Sequence, residues 1–355
     1  MRYRFPGRTV TTENGAAHAV LVVGLLLVAA AAVFFVSSGR RSGEEGGGGA
    51  AGDALQAAPD TAPEDAVVDD PAADLPDPFV LAFLPSQRAE ELMPDARRLG
   101  GFLAERLGVE VEVVVPTVYE PIIEGLRFGH VHAAFLDGGP AWIAHERTGS
   151  EVILAEVNDG RTFYWAEAFV LEDSPMQSLE DVPGHRVAFT SRTGSSGFIM
   201  PVGSMIRAGL IDGGNSVVSL EEALDETFAA TIYAGGYKPA LTAVLEGRAD
   251  VAFGAHDGPE RFLSPEERER LRTLYRFGQI PSHSVVVAKE LSPAAVSRLR
   301  DALLELNGPD GLPLLRAIYG VDGLTEADTE GHLGAFGAAL SALPGMDRTL
   351  LDKTN

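Results

Sequence analysis

The chain has 355 residues, 28 Lys and Arg against 51 Asp and Glu, and no cysteine. A formal net charge of −23 argues against a nucleic-acid partner, whose affinity rests on Lys and Arg neutralising phosphates. The missing cysteine excludes disulfides, thiol catalysis, Cys-ligated zinc, iron–sulfur clusters and a lipidated-cysteine anchor.

Residues 1–18 carry Arg2, Arg4 and Arg8 against Glu13, which predicts a cytoplasmic N-terminus. Residues 19–36, AVLVVGLLLVAAAAVFFV, hold no charge; as a helix they span about 27 Å, enough for a bilayer core. A single N-terminal transmembrane helix is the expectation, although Arg40 and Arg41 weaken the orientation. A cleaved signal peptide is its rival, with Val36-Ser37-Ser38 a passable cleavage site, but the apolar run exceeds the roughly 7–15 residues usual there. Either reading places the rest of the chain outside the cytoplasm, in the cell membrane as a single-pass protein or, after cleavage, periplasmic or secreted. Residues 37–78 read as a disordered acidic Gly/Ala/Pro linker: from 42 to 78, ten acids meet no Lys or Arg, and such a segment repels itself and stays extended.

The folded part starts at Phe79. FVLAFL (79–84), VEVVV (111–115), VHAAFL (131–136), VILAEV (152–157) and AEAFVL (166–171) read as short buried strands, and helix patterns cover 89–107 and 119–128. HRVAFT (185–190), FAATIYA (228–234), ADVAFGA (249–255) and SVVVA (284–288) continue the series, and the last 60 residues are mostly helical. Strand and helix in alternation predict an α/β fold. An internal echo divides it. Tyr119-Glu-Pro121 through Gly129 to Phe135 recurs at an offset of 118 as Tyr237-Lys-Pro239 through Gly247 to Phe253. Two lobes of similar plan follow, 79–170 plus 281–345 and 171–280, with a ligand cleft between them.

After strand 185–190 comes Ser191-Arg-Thr-Gly194-Ser195-Ser196-Gly197, then an apolar run containing Pro201. Ser195 or Ser196 is placed to cap a helix whose first turn takes the proline. Free N–H groups, the positive end of the helix dipole and several hydroxyls then converge as an anion site. No Gly-Lys-Ser/Thr follows, so this is not a nucleotide-hydrolysing phosphate loop.

These residues resemble a family. Asp173-Ser-Pro-Met-Gln-Ser-Leu-Glu-Asp181-Val-Pro-Gly184-His-Arg-Val-Ala-Phe189, followed by Gly194-Ser-Ser-Gly-Phe-Ile-Met-Pro201, is similar to the phosphate, phosphite and phosphonate substrate-binding proteins of ABC importers. Phe83-Leu-Pro-Ser86, Asp137-Gly-Gly-Pro140, Tyr233-Ala-Gly-Gly-Tyr237 and Gly247-Arg-Ala-Asp250 extend the resemblance over nearly all of 79–290. It implies a type II periplasmic-binding-protein fold, two lobes on a hinge closing over a tetrahedral oxyanion, with an ABC permease as partner and no cofactor. The oxyanion loop falls on Gly194, Ser195 and Ser196, and Tyr119 and Tyr164 fall on pocket tyrosines. Two positions depart: the family's ligand-binding histidine is Tyr237 here, and Ser282-His283 stand where an acid or amide commonly follows Ile-Pro. The expected ligand residues are thus Tyr119, Tyr164, Gly194, Ser195, Ser196, Tyr237 and His283, in a monomer.

Other constellations compete. His130 and His132, with Asp137, His145 and Glu146 nearby, suggest a zinc site and a metallohydrolase; a hydrogen-bonded structural histidine is the simpler reading. No nucleophile elbow surrounds Ser195 or Ser196. Arg161 and Arg192 are candidate anion partners. A membrane-tethered sensing module of the same fold is the alternative to transport.

Overall fold

The computed structural model describes residues 75–86 and 89–352. The predicted membrane segment at 19–36, the N-terminus before it and residues 37–74 of the predicted linker lie outside the described residues. Among the described residues, no helix is long and apolar enough to cross a membrane.

The chain first runs β1 (Phe79–Ala82), α1 (Ala89–Leu107), β2 (Val111–Val114), α2 (Glu120–Arg127), β3 (Ala133–Leu136), α3 (Gly138–Thr148) and β4 (Glu151–Val157). It crosses to β5 (Phe163–Leu171), β6 (Arg186–Phe189), α4 (Met200–Arg207), α5 (Val217–Thr227), β7 (Ala230–Tyr233) and α6 (Tyr237–Leu245). There follow β8 (Val251–Ala255), α7 (Gly258–Phe262), α8 (Pro265–Arg268) and β9 (Leu271–Pro281). It returns through β10 (Ser284–Val287), α9 (Pro293–Leu304), α10 (Leu312–Tyr319), β11 (Gly323–Glu326), α11 (Thr329–Ser341) and α12 (Met346–Leu351).

Two mixed sheets result, ordered β11-β4-β10-β3-β1-β2 and β7-β6-β8-β5-β9. Their centres share one plan. β1 runs parallel to β2 and β3, and β10 closes antiparallel on β3. β6 runs parallel to β7 and β8, and β5 closes antiparallel on β8. The echoed segments therefore occupy the same place in each sheet, as α2–β3 and as α6–β8. The core strands β3 and β8 are buried at every residue, which is why they read as continuous apolar runs rather than alternating ones.

The boundary between the sheets differs from the sequence reading. β5 pairs with β8 and β9 along its length, so residues 163–170, counted with the first lobe, stand in the second sheet. Apolar periodicity marks a strand but not its partner. Here the partner β9 is an edge strand whose Arg272, Tyr275 and Arg276 mask its period, and it was not anticipated.

Behind both sheets lies α11, which packs on α3 and on α4. Gly337 takes the face of the Trp142 indole, where a Cβ would overlap the ring. Gly203 of α4 approaches Ala339 so closely that an added Cβ would sit 2.6 Å from its carbonyl carbon. Gly203→Ala must push α4 off α11; overpacking of this kind costs about 1–3 kcal/mol, and thermal unfolding should show a Tm lowered by several degrees.

Candidate functional site

Parallel strands β3, β6 and β8 end at a common cleft of about 920 Å³, in the position where open α/β sheets gather ligands. The two crossing segments border it through Asn158, Arg161 and Phe163 on one side and Pro281, Ser282 and His283 on the other. A smaller recess of about 80 Å³ adjoins, and Asp137 and Ser195 line both.

The turn after β6 is built from the expected residues by a different device. Gly194 opens a wide turn over Ser195–Ile199, with no side-chain cap, before α4 begins. Phe198 and Ile199 both donate to the Gly194 carbonyl, at 2.9 and 3.0 Å, and Met200 donates to Ser195. Pro201, having no N–H, cannot extend an ordinary helical ladder backwards into this turn. The N–H groups of Ser195, Ser196 and Gly197 precede the first donors of the turn, so they remain for a ligand. Close packing holds the turn: a Cβ on Gly197 would lie 2.5 Å from Thr190 Cγ2 and 2.7 Å from Thr190 Cβ.

Ser196 is wholly buried, and instead of capping the helix its hydroxyl meets the Tyr237 hydroxyl at 2.9 Å. Tyr237 starts α6 and stacks on Phe262, with centroids 6.1 Å apart. Gly254 on β8 leaves room for it, since a Cβ there would come within 3.1 Å of its ring. The Tyr164 phenol, on β5, shares hydrogen bonds with both Ser196 and Tyr237. Burial, reinforced by Tyr237, pushes the Tyr164 pKa far up, so it stays a neutral hydroxyl. Ser195, Tyr164 and Tyr237 face the cleft.

The opposite wall carries charge. His283 Nε2 lies 2.9 Å from Asp137 Oδ1, and its Nδ1 lies 2.8 Å from Glu156 Oε2. Glu156 is 1% exposed. Burial alone would lower the His283 pKa; contact with Asp137 and Glu156, and their negative charge, outweigh it and push it up to about 10. The crossing strands are tied here as well: Glu156 N–H donates to the His283 carbonyl at 2.9 Å and Ser282 Oγ donates to the Glu156 carbonyl at 2.6 Å.

The structure thus brings Tyr164, Gly194, Ser195, Ser196 and Tyr237 together, with His283 across the cleft. Tyr119 stands apart. It is fully buried and donates its hydroxyl to Asp137, so it meets the recess and not the open cleft. Arg192 is engaged elsewhere, ion-paired with Glu221 and lying over the Tyr233 ring at 4.1 Å. Arg161 is exposed on the cleft rim. His132 accepts the Val80 N–H at 2.9 Å through Nδ1, and burial lowers its pKa: a neutral structural acceptor. Among the described residues, no cluster of His and acids could hold a metal. Sequence reasoning missed Glu156; a single acid inside the apolar run VILAEV was the available signal, since a buried Glu demands a partner.

The sequence pattern of one family, described as the periplasmic substrate-binding protein of phosphonate ABC transporters, matches residues 81–331. The chain is 28% identical over 206 residues to the phosphonates-binding periplasmic protein of Escherichia coli (strain K12), covering 56% of this chain and 57% of that protein. It is 24% identical over 238 residues to the phosphate-import protein PhnD of Mycolicibacterium smegmatis, covering 64% of this chain and 72% of that one. The match thus spans less than two thirds of the Escherichia coli relative. In fold, the chain is similar to XAC2383 from Xanthomonas citri bound to ATP, with a TM-score of 0.58 and 23% identity over 78% of this chain and 100% of the other.

Proposed function

The chain belongs to the ABC-transporter family of periplasmic phosphonate substrate-binding proteins, and on that premise we propose that it captures a small tetrahedral oxyanion for an importer permease. The family is one of binding proteins, not enzymes. The ligand is of the phosphonate, phosphite or phosphate class, and it seats on the Gly194–Gly197 turn between Tyr164, Tyr237 and Ser196. One observation supports this above the rest: three free N–H groups and three hydroxyls converge on one point at the closed end of the cleft. Three or four hydrogen bonds to a charged ligand, at about 1.5–3 kcal/mol each, reach micromolar affinity without a metal. The cleft also limits the ligand's charge. Asp137, Glu156, Asp159, Asp257 and Glu260 line it against Arg161, Arg261 and His283, so a polyanion meets net repulsion.

Closure would swing the two sheets about the segments at 158–162 and 282–283. The proposed organisation keeps residues 19–36 as the membrane anchor, with the binding unit extracytoplasmic. A thermal-shift panel of phosphate, phosphite, methylphosphonate, aminoethylphosphonate, sulfate and methanesulfonate tests the reading. A ligand at 100 times its Kd adds about 2.7 kcal/mol of stability, which raises Tm by several degrees. If no oxyanion raises Tm, the site is not an oxyanion site.

A further inference from the structure

The anion turn and the charged wall face one another, and their chemistry is opposite. On the turn, N–H groups and hydroxyls supply donors. On the wall, Asp137 supplies only acceptors, and it reaches both the cleft and the recess, as Ser195 does. Asp137 is held in place rather than free to swing away. The Tyr119 hydroxyl donates to Oδ2, and His283 Nε2 stands 2.9 Å from Oδ1. His283 in turn is engaged by Glu156 at 2.8 Å through its other nitrogen, so the imidazole offers the ligand no ring N–H of its own. Each Asp137 oxygen has a second lone-pair direction. A tetrahedral anion seated on the turn therefore confronts a fixed carboxylate. With no proton to share, the two negative groups repel; with one, they form a charge-assisted hydrogen bond.

We infer that Asp137 is the specificity-determining acceptor of the site: it takes the P–OH hydrogen of a singly protonated phosphonate, phosphite or phosphate, and rejects oxyanions that carry no proton, such as sulfate and sulfonates. This rests on the oxyanion reading above and adds the criterion by which the ligand is chosen. It also accounts for the wall's construction. Glu156 and His283 touch the ligand less than they fix Asp137, and Tyr119, closed off from the cleft, orients the same carboxylate from below.

Ligand pairs that differ by that hydrogen test it. In mildly alkaline buffer, phosphate is the hydrogen-phosphate dianion, and monofluorophosphate is a proton-free dianion of the same charge and nearly the same shape. Methylphosphonate and methanesulfonate form a second pair. Titration calorimetry on the full-length protein should show the proton-bearing member binding about 10- to 100-fold more tightly, the worth of one hydrogen bond to a charged group. Asp137→Asn, whose amide can donate as well as accept, should close most of that gap by gaining affinity for monofluorophosphate and methanesulfonate. Equal affinities within a pair in the unaltered protein overturn the inference, and so does a gap that survives in Asp137→Asn. If that variant does not fold, the ligand pairs on the unaltered protein decide alone. Oxyanions that bind without discrimination leave the oxyanion site standing and remove only the role of Asp137; no oxyanion binding at all removes both.

Discussion

Gly197→Ala is expected to abolish oxyanion binding while the protein remains folded. Gly197 lies in the first turn after β6, and a methyl group there would meet Thr190 Cγ2 at 2.5 Å and Thr190 Cβ at 2.7 Å. Thr190 cannot yield easily, because it is 5% exposed at the end of a buried strand. The turn must move instead, and with it the N–H groups of Ser195, Ser196 and Gly197. Overpacking costs about 1–3 kcal/mol of stability, well within what a domain tolerates. Binding suffers more: misplacing two donors to a charged ligand costs about 3–6 kcal/mol, a fall in affinity of about 100-fold or more. Gly101→Ala is the control. Nothing lies within 4 Å of a Cβ at that position of α1, so it should bind normally and be slightly more stable. Calorimetric titration with the best ligand of the panel, beside thermal unfolding of both variants, separates the two effects. Unaltered affinity in Gly197→Ala would place the ligand away from the turn.

The parts of the site legible in the sequence are those whose geometry is local. Gly194, Ser195, Ser196 and Pro201 announce a strand-to-helix turn with spare donors, because glycine permits close approach and proline has no N–H to lose. Tyr237 was legible for another reason, the echo of the Tyr119 segment. What could not be read was where each side chain turns. Ser196 bonds to Tyr237 across 41 residues of chain rather than capping its own helix. Tyr119, its counterpart in the echo, points to Asp137, because α2 places it below α3 and not on the cleft face. Arg192 looked like an anion partner by proximity in sequence, yet Glu221 and Tyr233 hold it. The lobe boundary failed for a similar reason: β5 was visible as a strand, but its long antiparallel pairing with β9 depends on residues a hundred positions away. Charge pairing was the least legible of all. The contact between His283 and Glu156 joins the two crossing segments, and only the lone acid of β4 hinted at it.

Removing the imidazole from that contact should be the most damaging single change on the charged wall. In His283→Ala, Glu156 and Asp137 keep their carboxylates but lose the cation between them. Breaking a fully buried ion pair costs about 3–5 kcal/mol, because the remaining charge is stranded. His283 keeps 38% of its side-chain surface open to the cleft, so water screens part of the effect, and about 2–4 kcal/mol is expected. The double variant His283→Gln/Glu156→Gln should recover much of the loss, since replacing both charged partners leaves neither stranded. The pH dependence carries a definite sign. The His283 pKa is raised from an unfolded value of 6.5 to about 10 in the fold. Its contribution to stability is therefore complete below pH 6.5, declines as pH climbs above that value, and is gone once pH has passed through about 10. Denaturant unfolding of the unaltered protein should show this decline across the alkaline range, and His283→Gln should remove that component. A variant whose stability falls over the same range by the same amount would mean that His283 is not the cation holding the wall together. The loss of Asp137 positioning in His283→Gln should appear separately, as weaker discrimination between methylphosphonate and methanesulfonate at a pH where both proteins are folded.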